Sequence, residues 1–118
     1  MSKHKETGIK GEQIAVKFLI NKGYSVLHTN WRFGKKEVDI IATKGDTLVF
    51  VEVKTRRNFD FGFPEESVNE RKKGFLRIAA EAFINENMGY PCIRFDIISI
   101  LLEQENVKEL LHYEGAFY

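Results

Sequence analysis

Three residues in this chain, Asp39, Glu52 and Lys54, have the types and spacing that could do chemistry, with Glu37 beside them. They lie in Glu37–Lys54, where two β-rich runs flank Gly45-Asp46, a dipeptide suited to a tight two-residue hairpin loop. With that loop, Lys44 pairs with Thr47, Asp39 falls opposite Glu52, and Glu37 falls opposite Lys54. Side chains alternate along a strand, so these four project from one face. Val38, Ile40, Ala42, Val49, Val51 and Val53 then form an apolar surface on the other. Two carboxylates placed opposite each other repel, at a cost of about 0.2–1 kcal/mol. A bound cation would offset it.

Hard oxygen ligands select Mg2+ or Mn2+ over zinc. Asp39 and Glu52 are therefore the expected metal ligands, with the backbone carbonyl of Val53 as a third. An ion held there polarises a phosphoryl oxygen and acidifies a bound water. Lys54 could orient or deprotonate that water, or neutralise charge in a pentavalent transition state. The set fits metal-assisted phosphodiester cleavage. Glu12 on the first helix is a further candidate catalytic acid, and its neighbour Gly11 would let a substrate backbone come close. Each weaker member has a structural explanation too. Glu37 supports the site or simply pairs with Lys54 across the strands, and Glu12 favours the dipole of its helix.

The elements that must position these groups follow from periodicity and punctuation. Residues 8 to 22 read as a helix with Ile14, Ala15, Phe18 and Leu19 as its apolar stripe, capped at Gly23. Tyr24 to Phe33 reads as a strand with Leu27, Thr29, Trp31 and Phe33 on one side, and the hairpin supplies the next two. Asn58 to Pro64 is an aromatic-rich loop, and Pro64, Glu65 and Glu66 suit the start of a second helix. Its buried face is marked by Val68, Phe75, Leu76, Ala79, Ala82 and Phe83, and it ends near Asn87. Cys92–Leu102 and Val107–Tyr113 complete the set as strands. The order αβββαββ predicts an α/β fold with a mixed five-stranded sheet, its third and fourth strands joined by a parallel crossover.

With 118 residues and no repeat or linker, the chain is expected to form one domain, residues 1–118. Its apolar runs are of strand length, which argues against a membrane span, and its start resembles no secretory signal. The single cysteine, Cys92, excludes an internal disulfide. A cytoplasmic location is the expectation. A net charge of +1 is not that of a strong general nucleic-acid binder, yet the cations are grouped. Arg32, Arg56, Arg57, Lys72 and Lys73 are the candidate nucleic-acid contacts.

Glu37-Val38-Asp39 followed by Glu52-Val53-Lys54 resembles the core of the PD-(D/E)XK nuclease superfamily, the restriction-endonuclease-like proteins and archaeal junction resolvases. The whole chain is similar to the YraN family of small bacterial proteins. The landmarks are Gly8-Ile9-Lys10-Gly11-Glu12 with Ala15, Gly23-Tyr24, Asn30-Trp31-Arg32, Leu48 to Arg56, Phe61-Gly62 with Pro64, Arg94-Phe95-Asp96 and Ala116-Phe117. The resemblance implies a restriction-endonuclease-like fold with Asp39 and Glu52 on Mg2+ or Mn2+, Lys54 as catalytic lysine and Glu12 as supporting acid. It also implies a nucleic-acid partner, DNA in the first place and branched or structured DNA by analogy with the resolvases, and a homodimer formed through residues 59–63 or the last strand. Val38 replaces the proline that names the superfamily, and Lys36 stands where glycine is frequent. The rival readings are a nucleic-acid-binding module that does not cut and an accessory protein in DNA processing.

Overall fold

The hairpin forms in the register that Gly45-Asp46 predicts, with Lys44 paired to Thr47 and Ile40 to Val51. Gly45 has φ 57 and Asp46 is not left-handed, the pattern of a turn with glycine in its first central position. The computed structural model describes residues 3–57 and 68–118. Its elements are α1 (Lys3–Asn21), β1 (Ser25–Phe33), β2 (Lys36–Lys44), β3 (Thr47–Arg56), α2 (Glu70–Glu86), β4 (Cys92–Glu103) and β5 (Asn106–Phe117). The strands form one sheet in the order β1-β2-β3-β4-β5. β3 and β4 run parallel and every other neighbouring pair is antiparallel. This is an αβββαββ arrangement of the restriction-endonuclease-like kind. Among the described residues no helix is long and apolar enough to cross a membrane.

Both faces of the central strands are covered, which corrects the expectation of a single apolar face. Ala15 and Leu19 of α1 pack with Ile40, Ala42, Val49, Val51, Ile98 and Ile100. Leu76, Ala79, Ala80 and Phe83 of α2 pack with Ile41, Leu48, Phe50 and Ile97. Val38 was expected beside Ile40, but it packs in the α2 layer with Phe50 and Phe83. Irregularities in the neighbouring β1 accompany this switch. A register shift separates Val26 from His28, and Asn30 has φ 52, a left-handed conformation that asparagine tolerates better than most residues. The expected alternation of Leu27, Thr29, Trp31 and Phe33 is broken there. His28 and Trp31 both set their rings against Phe83, with centroids 5.6 and 5.3 Å away.

Asn69 caps α2, its side chain accepting from the Lys72 N–H at 2.9 Å. The described helix therefore begins at Glu70, after Val68. The expected start at Pro64-Glu65-Glu66 and the aromatic stretch Asn58–Pro64 lie outside the described residues. Phe75 is exposed and Ala80 buried in place of the expected pattern. The Phe75 ring instead lies under the Lys36 amine and the Arg71 guanidinium.

At the edge, β5 is fastened to β4 through Asp96, which is fully buried at a register shift between Phe95 and Ile97. Its carboxylate accepts from Arg94 Nε and Nη2 at 2.8 Å each, from Gly115 N–H at 3.0 Å and from His112 Nε2 at 2.7 Å. Lys22 Nζ lies 3.0 Å from His112 Nδ1, which assigns the ring proton to Nε2. Burial alone would raise the Asp96 pKa, but the bonds from His112, Arg94 and Gly115 outweigh it and lower the value. A depressed folded pKa gives stability above the unfolded value, near pH 4, that is lost as the pH falls through the folded value. Replacing Asp96 by alanine strands Arg94 and His112 without their acceptor. Asp96→Ala is expected to cost about 3–5 kcal/mol, measured by denaturant unfolding at neutral pH.

Candidate active site

The ladder between β2 and β3 stops at Ile40–Val51. Beyond it β2 stays with β1, through Val38–Trp31, Glu37–Arg32 and Lys36–Phe33. β3 stays with β4 as far as Arg56–Leu101. The sheet is therefore forked, and Asp39 and Glu52 are the first residues past the branch point. Asp39 spans the gap, its Oδ2 accepting the Val53 N–H at 2.8 Å. A side-chain carboxylate thus serves a backbone group that β2 no longer pairs.

The fork also corrects the expected Glu37–Lys54 pair. Glu37 travels with β1, where Arg32 Nη2 lies 3.5 Å from its carboxylate. Lys54 travels with β3, and its amine lies 3.4 Å from Glu52 Oε1. The Lys72 amine, reaching in from the first turn of α2, lies 3.6 Å from the same oxygen. Glu52 is only 4% exposed, and its other oxygen, Oε2, is buried with no hydrogen-bond partner among the described residues.

From the opposite layer α1 contributes Glu12, whose charge acts on Asp39. The Asn30 amide nitrogen, in the orientation that satisfies both acids, donates to Glu12 Oε1 at 2.9 Å and Glu37 Oε1 at 2.8 Å. Gly11 does not open a path for substrate, as the sequence suggested. Thr55 fills the space beside it, and a Cβ at Gly11 would stand 2.7 Å from the Thr55 Cβ and closer still to its hydroxyl. The glycine instead lets α1 lie tight on β3, which carries Glu12 to the fork.

The electrostatics reflect this crowding. Burial, then the charge of Glu52, pushes the Asp39 pKa up to about 8, against the opposing Val53 N–H and Lys72. Glu12 is raised as well, by burial and then by Glu37. Among the described residues no three His, Cys, Asp or Glu side chains form a ready-made metal cage. The donor set nevertheless fits a hard divalent cation. It offers a buried carboxylate oxygen without a partner among the described residues and a carboxyl that burial and the neighbouring Glu52 keep from ionising, and Mg2+ usually keeps several waters among its ligands. Asp39, Glu52 and the Val53 carbonyl are the groups that would hold it.

The basic residues divide. Lys72 faces Glu52, and Arg32 stands largely exposed beside Glu37. Arg57 is engaged inside the fold, donating to Thr7 Oγ1 at 3.0 Å and pairing with Glu105 at 3.0 Å, where Lys10 also bonds. Lys73 pairs with Glu70 and lies over the Phe117 ring. Arg56 is half-buried at the end of β3. Sequence reasoning assigned no role to Asn30 or Thr55, and saw Lys72 only as a phosphate contact. Asparagine's tolerance of positive φ was the only available signal for the first.

The family model for UPF0102 matches residues 11–100, which include every group at the fork. The chain belongs to the uncharacterised protein family UPF0102. A UPF0102 protein of Flavobacterium psychrophilum is 46% identical over 118 residues, covering 100% of this chain and 98% of that one. One from Dictyoglomus turgidum is 46% identical over 112 residues, 94% and 93% of the two chains. One from Phocaeicola vulgatus is 41% identical over 118 residues, 100% and 97%. The likeness to the YraN family read from the landmarks thus holds along the whole length of this UPF0102 chain.

Two outcomes follow for the UPF0102 fork. Folded Asp39 keeps its proton to about pH 8, whereas the unfolded residue releases it near pH 4. Between those values the unfolded state binds fewer protons, so stability contributed by this group falls as pH rises and levels off above about 8. Asn at position 39 can still accept the Val53 N–H. Asp39→Asn should therefore raise stability at pH 8 by on the order of 1–3 kcal/mol without divalent cation, with the gain shrinking toward pH 4, measured by thermal melts in EDTA. Gly11→Ala should cost about 1–3 kcal/mol from overpacking against Thr55, measured by urea unfolding.

Proposed function

We propose that this protein is a metal-dependent endonuclease acting on nucleic acid, DNA in structured or branched form being the favoured substrate class. The observation that carries the reading is the forked sheet, which sets two carboxylates, a partnerless carboxylate oxygen and two amines in one place. Asp39 and Glu52, with the Val53 carbonyl, hold Mg2+ or Mn2+. Such an ion, when bound, supplies charge stabilisation at a phosphoryl oxygen and a more acidic water.

The chain's own groups do the remaining work. Lys54, held beside Glu52, donates to the attacking water or to charge developing on the phosphate. Glu12, steadied by Asn30 and held above its ordinary pKa by burial and then by Glu37, takes up or returns a proton at the carboxyl cluster. Arg32 and Arg56 are the candidate contacts to flanking phosphates, and the resolvase analogy suggests a homodimer that brings two such sites to two strands.

Purified protein incubated with Mn2+ and duplex, single-stranded or four-way-junction DNA should cleave at least one of them. Lys54→Ala should lower the rate by about 100-fold or more. Cleavage that survives that substitution undiminished belongs to a contaminant and would overturn the assignment.

A further inference from the structure

The first turn of α2 carries Arg71, Lys72 and Lys73 in succession. Cations at a helix N-terminus oppose the positive end of its dipole, at about 0.3–1 kcal/mol each in exposed positions. Two of the three have local partners. Arg71 lies over the Phe75 ring, while Lys73 pairs with Glu70 and lies over Phe117. Lys72 reaches away from its helix to the fork, its amine 3.6 Å from Glu52 Oε1.

That contact is loose. Charge-assisted N–H···O bonds run about 2.7–2.9 Å, and the chain builds such bonds elsewhere, as in Lys10–Glu105 at 2.7 Å. Both amines near Glu52 stand off at 3.4 and 3.6 Å on one oxygen, while Oε2 has no partner among the described residues. A carboxylate that is 4% exposed needs positive charge nearby, and the amines supply it without locking onto it. Lys54 shares a strand with Glu52. Lys72 sits on a separate helix, with its side chain 36% exposed, and can swing without disturbing the sheet.

Building on the metal-site reading above, we propose that Lys72 is an exchangeable counter-ion, holding Glu52 when no divalent cation is bound and turning to a substrate phosphate when one is. The ammonium and the metal compete for one carboxylate, so the charge released from Glu52 becomes available to the phosphodiester drawn to the same place. Lys72 is then a positioning residue for the acid in one state and a phosphate contact in the other.

The test separates this inference from the reading on which it rests. Calorimetric titration with Mn2+ compares wild type, Lys72→Met and Lys108→Met, the last a charge-matched control on β5 paired with Glu103. Lys72→Met should bind Mn2+ about tenfold more tightly or better, and Lys108→Met should match wild type. The second readout is the salt dependence of junction DNA affinity in a Lys54→Ala background. Mn2+ should steepen the slope by about one unit, and adding Lys72→Met should abolish that increment. Equal Mn2+ affinity of wild type and Lys72→Met, or an increment that persists in the double variant, would overturn the proposal alone. A wild type that takes up no Mn2+ would overturn the metal site first and this inference with it.

Discussion

The parting of β2 from β3 is the constraint on which the candidate site depends. β3 keeps an unbroken parallel register with β4 over ten pairs, from Thr47–Cys92 to Arg56–Leu101. β2 is held by β1, whose own course is bent by the shift after Val26 and by the left-handed Asn30. A bulge strengthens local twist, so β1 and β2 turn away together while β3 continues with β4. Without the fork, Asp39 and Glu52 would be an ordinary cross-strand repulsion on a packed sheet. With it they receive groups from both helical layers, Glu12 from α1 and Lys72 from α2.

Each helix is placed for that purpose by a local feature. Gly11 allows α1 to lie against Thr55, and one residue later Glu12 meets Asp39. Asn69 stops α2 just before Glu70, and two residues later Lys72 meets Glu52. Glu12 and Lys72 sit on opposite layers of the protein and converge only because the sheet between them opens. The site therefore joins packing of the two cores, and small displacements of either helix are felt at the same carboxylates.

The hairpin was legible because Gly45-Asp46 fixes loop length, and loop length fixes register. That register placed Asp39 beside Glu52, and the element order followed from periodicity. The fork was not legible, because pairing rules extend a ladder until something stops it, and nothing within Glu37–Lys54 does. In the neighbouring β1 Asn30 takes φ 52, and asparagine's tolerance of that angle was too weak a trace to predict it. Two-sided burial was within reach, since Ile41, Leu48 and Phe50 are apolar and alternate with the set that was counted. Phe75 misled because an aromatic ring at a helical spacing looks like core, whereas here Lys36 and Arg71 cover it at the surface.

A contrast within the chain gives the fork its meaning. Asp96 is as deeply buried an acid as this protein has, and four donor contacts meet its two oxygens. Its pKa falls below the ordinary value even though burial pulls the other way. Among the described residues the same fold leaves Glu52 with two distant amines on one oxygen and no partner on the other, and gives Asp39 one backbone N–H while crowding it with acids. Burying a charge without full compensation is expensive, and Asp96 demonstrates that this chain can compensate one completely. Outside the β4–β5 turn, where Gln104 and Glu105 are left-handed, three departures from local preference stand at the fork: a left-handed asparagine, cations at a helix start, and a buried oxygen without a partner among the described residues. Natural sequences tend to concentrate such conflicts where function requires them. The deficit at the fork is one of positive charge facing carboxylate oxygens, and that shortfall is the physical ground of the metal-site proposal.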